Sequence, residues 1–134
     1  LEAAPTSCEA QRTWSSANTD VTAATSWAGR AVGAGQANTT AIKAVFTTDT
    51  SSNNAAYFAT SCSAGGKSDW FLGSLGEMKL MYDNLQGLGG FSTGFYWSSS
   101  EVDHGRAWVK PFFNDLDAIS TKDTPYQLRP VRSF

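Results

Sequence analysis

The chain has 134 residues, with five Trp, eight Phe and four Tyr, and its twelve acidic and ten basic residues leave a net charge of −2. That length fits one domain, 1–134, with enough apolar bulk for one core. The charge balance is not that of a nucleic-acid binder, and no apolar run is long enough for membrane insertion.

Residues 1–20 read as polar and irregular, with Trp14 as the one anchor. Between 21 and 65 the only charges are Arg30, Lys43 and Asp49. Val21, Ala24, Trp27, Ala28 and Ala31 recur at three and four residues, which predicts a helix capped by Asp20 and ended by Gly33 and Gly35. Asn38 or Thr39 then caps a short helix through Ala41, Ile42, Ala44, Val45 and Phe46. A loop over 47–54 leads to another short helix at Ala55–Ala59, ending before Gly65-Gly66. The low charge therefore reads as Ala-rich helices packed closely, not as a disordered linker.

The apolar run Trp70-Phe71-Leu72 is followed by Gly73 and Ser74. Ser74 with Glu77 three residues on has capping-box spacing. Leu75, Met78, Leu80, Met81, Tyr82 and Leu85 predict an amphipathic helix over 74–86, stopped by Gly87, Gly89 and Gly90. Strands are predicted near 95–99, 106–113 and 126–133. Pro111 marks the middle one as an edge or a bulge, and Pro130 interrupts the last. The fold class is α+β, with short helices packed on a small twisted antiparallel sheet.

Cys8 and Cys62 belong to no CxxC motif, and the lone His104 argues against a Cys/His zinc site. Two readings remain, a disulfide or buried free thiols. The Ser/Thr/Asn/Gly-rich composition suits an exported protein and favours the disulfide. Closing that loop is worth about 4 kcal/mol in loop entropy. The start at Leu1 reads as a processed or excised piece.

Gly65-Gly66-Lys67-Ser68-Asp69-Trp70-Phe71-Leu72, Glu77-Met78, Tyr96-Trp97-Ser98-Ser99-Ser100-Glu101, Ala107-Trp108 and Val131-Arg132 together resemble the C-terminal domain family of the Legionella collagen-like protein. Leu1-Glu2-Ala3-Ala4-Pro5 resembles a further internal segment of that family. The resemblance implies a C-type-lectin-like fold and surface binding rather than chemistry. Family members often carry a Gly-rich strand before this point, so either the sheet is smaller here or a segment lies upstream. Gly73 stands where the family commonly has Pro.

A Ser/His/Asp reading would recruit Ser99 or Ser100 with Asp103 and His104, but no nucleophile elbow surrounds them, and His104 reads as an exposed loop residue. No catalytic residue, cofactor or metal is therefore expected. The formylglycine-generating enzymes of the same fold group use a cysteine site near the chain end, where this chain has none. The calcium loops of sugar-binding C-type lectins are missing. Asn114-Asp115-Leu116-Asp117 could supply oxygen ligands to calcium, or form an Asx-type turn.

Trp70 and Trp97 read as core, and Glu101 is expected to form a structural ion pair with Arg129 or Arg132. On the strand 106–113, Arg106, Trp108, Lys110 and Phe112 alternate on one face, opposite Ala107, Val109 and Phe113. With Asp103 and His104 in the loop before it, that face is the candidate ligand surface, because aromatic and Arg side chains dominate binding energy, although Trp108 also reads as a core residue. The expected function is a non-enzymatic recognition or adhesion module, extracellular, at the cell surface or on a phage-like particle, binding a glycan or a host or surface protein. The alternatives are a structural module packing as a homo-oligomer or against a fibre neighbour, and a formylglycine-type enzyme. The net charge offers no broad positive field for a sulfated polymer, so the glycosaminoglycan binding associated with the Legionella relative is not carried over.

Overall fold

A computed structural model describes residues 1–133. Eleven named elements follow one another. They are β1 (Glu2–Ala3), β2 (Ala10–Arg12), α1 (Thr22–Thr25), α2 (Gly35–Val45), α3 (Ala55–Ser61), α4 (Leu75–Leu85), β3 (Phe95–Asp103), β4 (Arg106–Pro111), β5 (Ala118–Thr121), β6 (Tyr126–Leu128) and β7 (Val131–Arg132). Short 3₁₀ turns link several of them, among them Ala28–Arg30. A five-stranded sheet runs in the order β2-β6-β3-β4-β5, and β1 pairs with β7 in a separate ribbon. The fold is α+β as expected. The sheet is not purely antiparallel, because β3 and β6 run parallel through Tyr96 and Gln127.

The expected capping box, the short helix after 54 and the burial of Trp70 and Trp97 are all present. Ser74 accepts from the Glu77 N–H while the Glu77 carboxylate accepts from the Ser74 N–H, a complete capping box at the start of α4. The Glu77 carboxylate is buried and also accepts from the N–H groups of Gly33 and Gly35, so it ties the turn before α2 to α4. Asn54 caps α3 by accepting from Ala56 and Tyr57. Trp97 and Trp70 are buried.

Other elements differ from expectation. The helix over 21–31 is only α1, capped by Val21 rather than Asp20. At Ser26 the backbone turns extended, and the Ser26 side chain and carbonyl both accept from the Gly29 N–H. That local bond competes with helix propagation, so Trp27 leaves the apolar stripe. α2 begins at Gly35, earlier than expected, and Asn38 and Thr39 lie inside it, buried. They are tolerated there because Asn38 Nδ2 donates to the Gly29 carbonyl and Thr39 Oγ1 to those of Gly35 and Leu72. The first twenty residues are also less irregular than expected, holding β1 and β2, and β5 follows the loop at 114–117.

Both faces of the sheet carry a buried cluster. One face meets Trp14, Val21, Ala24, Ile42, Phe46, the alanines of α3 and Leu72, and contributes Trp97, Ala107, Val109 and Leu128. The other contributes Tyr96 and Phe112 to a second cluster with Phe71, Val131, and Met78 and Met81 of α4. The Cys8–Cys62 disulfide is formed and sits beside Trp70 in a third cluster. It ties the segment before β2 to the end of α3 across 54 positions. Replacing both cysteines by Ser is expected to remove roughly 2–4 kcal/mol of stability, readable as a lower urea midpoint. An unchanged midpoint would show that the bridge constrains nothing.

Candidate functional site

The ion pairs rearrange the expected roles. Glu101 is buried and pairs with Lys122 at 2.6 Å, not with Arg129 or Arg132. Its carboxylate also accepts from the Val21 N–H and the Thr25 hydroxyl. Burial holds the Lys122 ammonium below its ordinary pKa, outweighing the upward pull of Glu101. Arg129 instead pairs with Glu9 at 2.6 Å and donates to the Ala4 and Gly90 carbonyls. Arg132 pairs with Asp69 at 2.8 Å and Glu2 at 2.9 Å, fastening β7 to both flanking segments. All three arrangements join segments distant in sequence. The partners lie in the first twenty residues, before α4 and after β5, where charge alone could not assign them.

The hairpin of β3 and β4 carries the candidate ligand residues. Asp103 and Arg106 close it with a 2.7 Å ion pair, and Asp103 also accepts from the Gly105 N–H. The guanidinium holds the Asp103 carboxyl below its usual value. His104 is exposed at the tip. Ser99 and Ser100 are buried, and their hydroxyls are committed elsewhere. Asn38 donates to Ser99, while Ser100 donates to the Gly29 carbonyl and accepts from the Leu75 N–H. Asp103, His104 and these serines therefore do not come together as a triad.

The alternation along β4 is as read, but the face is not uniformly open. Lys110 and Phe112 are buried, which corrects the expectation of one exposed surface. α4 lies over that half. The Tyr82 ring sits 5.7 Å from Phe112 and 4.6 Å from the Lys110 ammonium. Phe112 also stacks on Phe91 at 4.8 Å. Phe113, expected to point inward, is half exposed and meets Phe95 edge-on.

The Lys110 ammonium donates to the carbonyls of Asn114 and Leu116 at 3.3 and 3.0 Å, with Asp115 and Asp117 carboxylates at 3.8 and 3.7 Å. Asn114 Oδ1 accepts from the Leu116 N–H, an Asx turn. The chain's own cation thus occupies the centre of the oxygen cluster that calcium would need. Millimolar calcium is expected to leave the melting temperature unchanged. A rise of several degrees, reversed by EDTA, would show that the ion displaces Lys110.

The other half of the face is open and joins a feature the sequence reading missed. The Arg30 guanidinium lies over two indoles, 4.0 Å from the Trp27 ring centre and 4.8 Å from that of Trp108. Trp27 is 80% exposed. Ile119, directly opposite Trp108 on β5, is 43% exposed. Arg30 Nε and Trp108 Nε1 are buried donors without an acceptor among the described residues. Arg106 follows on the same side of β4, two residues before Trp108. The structure thus brings Trp108 together with Trp27 and Arg30, with Arg106 farther along the same side of β4, and separates them from Lys110 and Phe112. The available signal was the short spacing of Trp27 and Arg30 around Gly29. It was masked because Trp27 also fits a buried helical stripe.

The chain matches no family model, no curated protein and no solved structure. Among the described residues no helix is long and apolar enough to cross a membrane.

Proposed function

We propose that this chain is a non-enzymatic recognition or adhesion module with a C-type-lectin-like arrangement, acting outside the cell. It binds a glycan or a surface protein through the open part of the β4–β5 face and the hairpin loop beside it. The observation that carries the reading is the Trp27–Arg30–Trp108 stack. A large aromatic exposed to this degree, braced by a cation on a rigid scaffold, stabilises no core and is the composition of binding hot spots. The disulfide supports an oxidising location. It also ties up both cysteines, which weighs against chemistry of the formylglycine type.

The test is a glycan array together with a panel of purified extracellular-matrix and surface proteins, each probed with the wild type and with Trp27→Ala. Trp27-dependent binding supports the module. Binding that persists unchanged in the variant places the site elsewhere, and the absence of any binding argues for the second reading.

That second reading is a structural or assembly module. An apolar cleft of about 570 Å³ lies between Leu1, Ala3 and Leu85, and adjoins one formed by Val32, Leu80 and Met81. Such a surface suits subunit packing. Light scattering across a concentration series separates the two, since a packing module self-associates.

A further inference from the structure

Resting on the recognition reading, we infer that the Trp27–Arg30–Trp108 stack takes a protein partner, through an acidic side chain set beside an apolar one, rather than a sugar. Arg106, Arg129 and Arg132 each pair with a carboxylate, and Arg12 donates to backbone carbonyls. Arg30 alone among the described arginines has neither a carboxylate nor a carbonyl partner, although it is only partly exposed. Packed between two ring faces, it is already shielded from some of its water and fixed in orientation. A carboxylate approaching its open edge therefore gains a charge-assisted, fork-shaped contact at little further cost in side-chain entropy. The Nε–H of Arg30 and the indole N–H of Trp108 are buried without an acceptor, so they do not reach a partner directly, but their uncompensated positive ends beneath the stack favour a negative group above it.

The surroundings then decide the kind of partner. A sugar ring stacked on an indole still presents hydroxyls around its rim, and a site that recognises it answers with planar polar side chains. The exposed residues flanking Trp27 in sequence are Thr22, Ala23, Ser26 and Ala28, and beside Trp108 the exposed residues are Ile119, opposite it on β5, and Arg106, two positions before it on β4. None of these is a carboxamide or a free carboxylate. Small and aliphatic groups flanking Trp and Arg make a water-excluding ring around a hot spot, which is how protein interfaces concentrate their energy. The fit is a short segment carrying Asp or Glu next to an aliphatic or aromatic residue. The carboxylate meets Arg30, and the apolar neighbour covers the free face of Trp27 or the ridge of Trp108 and Ile119.

The probe is a random-peptide phage library selected on the intact wild-type chain. The recovered peptides are expected to be enriched in Asp or Glu adjacent to an apolar residue. A synthetic copy of the dominant sequence should bind at least about tenfold more weakly to Arg30→Gln and to Trp27→Ala, and should weaken in high salt. Trp27→Ala should keep the wild-type melting temperature, which separates loss of the surface from loss of the fold. Peptides without acidic enrichment, or equal affinity for Arg30→Gln, would overturn the inference. Trp27-dependent binding on the glycan array with no such peptides would also overturn it while leaving the recognition reading intact. No Trp27-dependent binding to glycans, surface proteins or peptides would remove both.

Discussion

Trp97→Ala lowers the unfolding free energy by about 3–5 kcal/mol, the cost of truncating a large buried aromatic. The ring is fully buried, lies 5.1 Å from Tyr126 in an edge contact, and is part of the cluster that contains Trp14 and Ile42. Its indole N–H donates to the Arg12 carbonyl at 2.8 Å, which holds β2 against the centre of the sheet. Removing the side chain leaves a cavity between sheet and helices and orphans a backbone acceptor at the same time. Urea denaturation with fluorescence from the remaining tryptophans measures it. A midpoint equal to wild type would place Trp97 on the solvent side and reverse the facing of β3.

Glu101→Ala costs a comparable amount, about 3–5 kcal/mol, for a different reason. It strands the Lys122 ammonium in the interior without a counter-charge. The same ammonium contacts the Thr19 carbonyl at 3.1 Å and lies 4.5 Å from the Trp14 ring centre, so it cannot swing to solvent without disturbing the main core. The double variant Glu101→Ala with Lys122→Met is expected to recover part of the loss, because a flexible apolar chain fits against Trp14 and Phe46. Recovery stays incomplete, since the carboxylate also serves the Val21 amide and the Thr25 hydroxyl. A double-mutant cycle reads the coupling directly. A single variant within about 0.5 kcal/mol of wild type, the range of an ordinary surface change, would show that Lys122 has found another partner.

What could be read from the sequence follows the range of the interaction that decides it. α4 was legible because its start is fixed by Ser74 and Glu77, three residues apart. The burial of Trp97 was legible because its neighbours on β3 leave little choice of face. β1 was not, because Glu2 and Ala3 become a strand only by pairing with Arg132 and Val131 at the far end of the chain. α2 was read short because Asn38 and Thr39 look like caps, whereas buried acceptors supplied by Gly29, Gly35 and Leu72 let them stay helical. The site divided in the same way. The alternation of Arg106, Trp108, Lys110 and Phe112 is a local property and was correct. That α4 covers the last two, and that Arg30 and Trp27 pack beside Trp108, depends on packing between elements distant in sequence.

Between the pairs Trp97–Val109 and Glu101–Ala107, β3 sets Ser98, Ser99 and Ser100 against Trp108 alone. This bulge takes the middle of the strand out of the regular ladder. The Ser99 amide bonds instead to the Gly73 carbonyl, the Ser100 amide to the Ser98 hydroxyl, and the Leu75 amide to the Ser100 hydroxyl. The Ser99 and Leu75 amides therefore do not exchange with heavy water through fraying of β4 or β5. Their protection lasts only as long as the Gly73–Leu75 segment stays seated on the sheet. Lifting α4 away and melting the centre of β3 become one opening event with one free energy. The cover over Lys110 and Phe112 consequently does not behave as a lid that rises while the sheet stays folded.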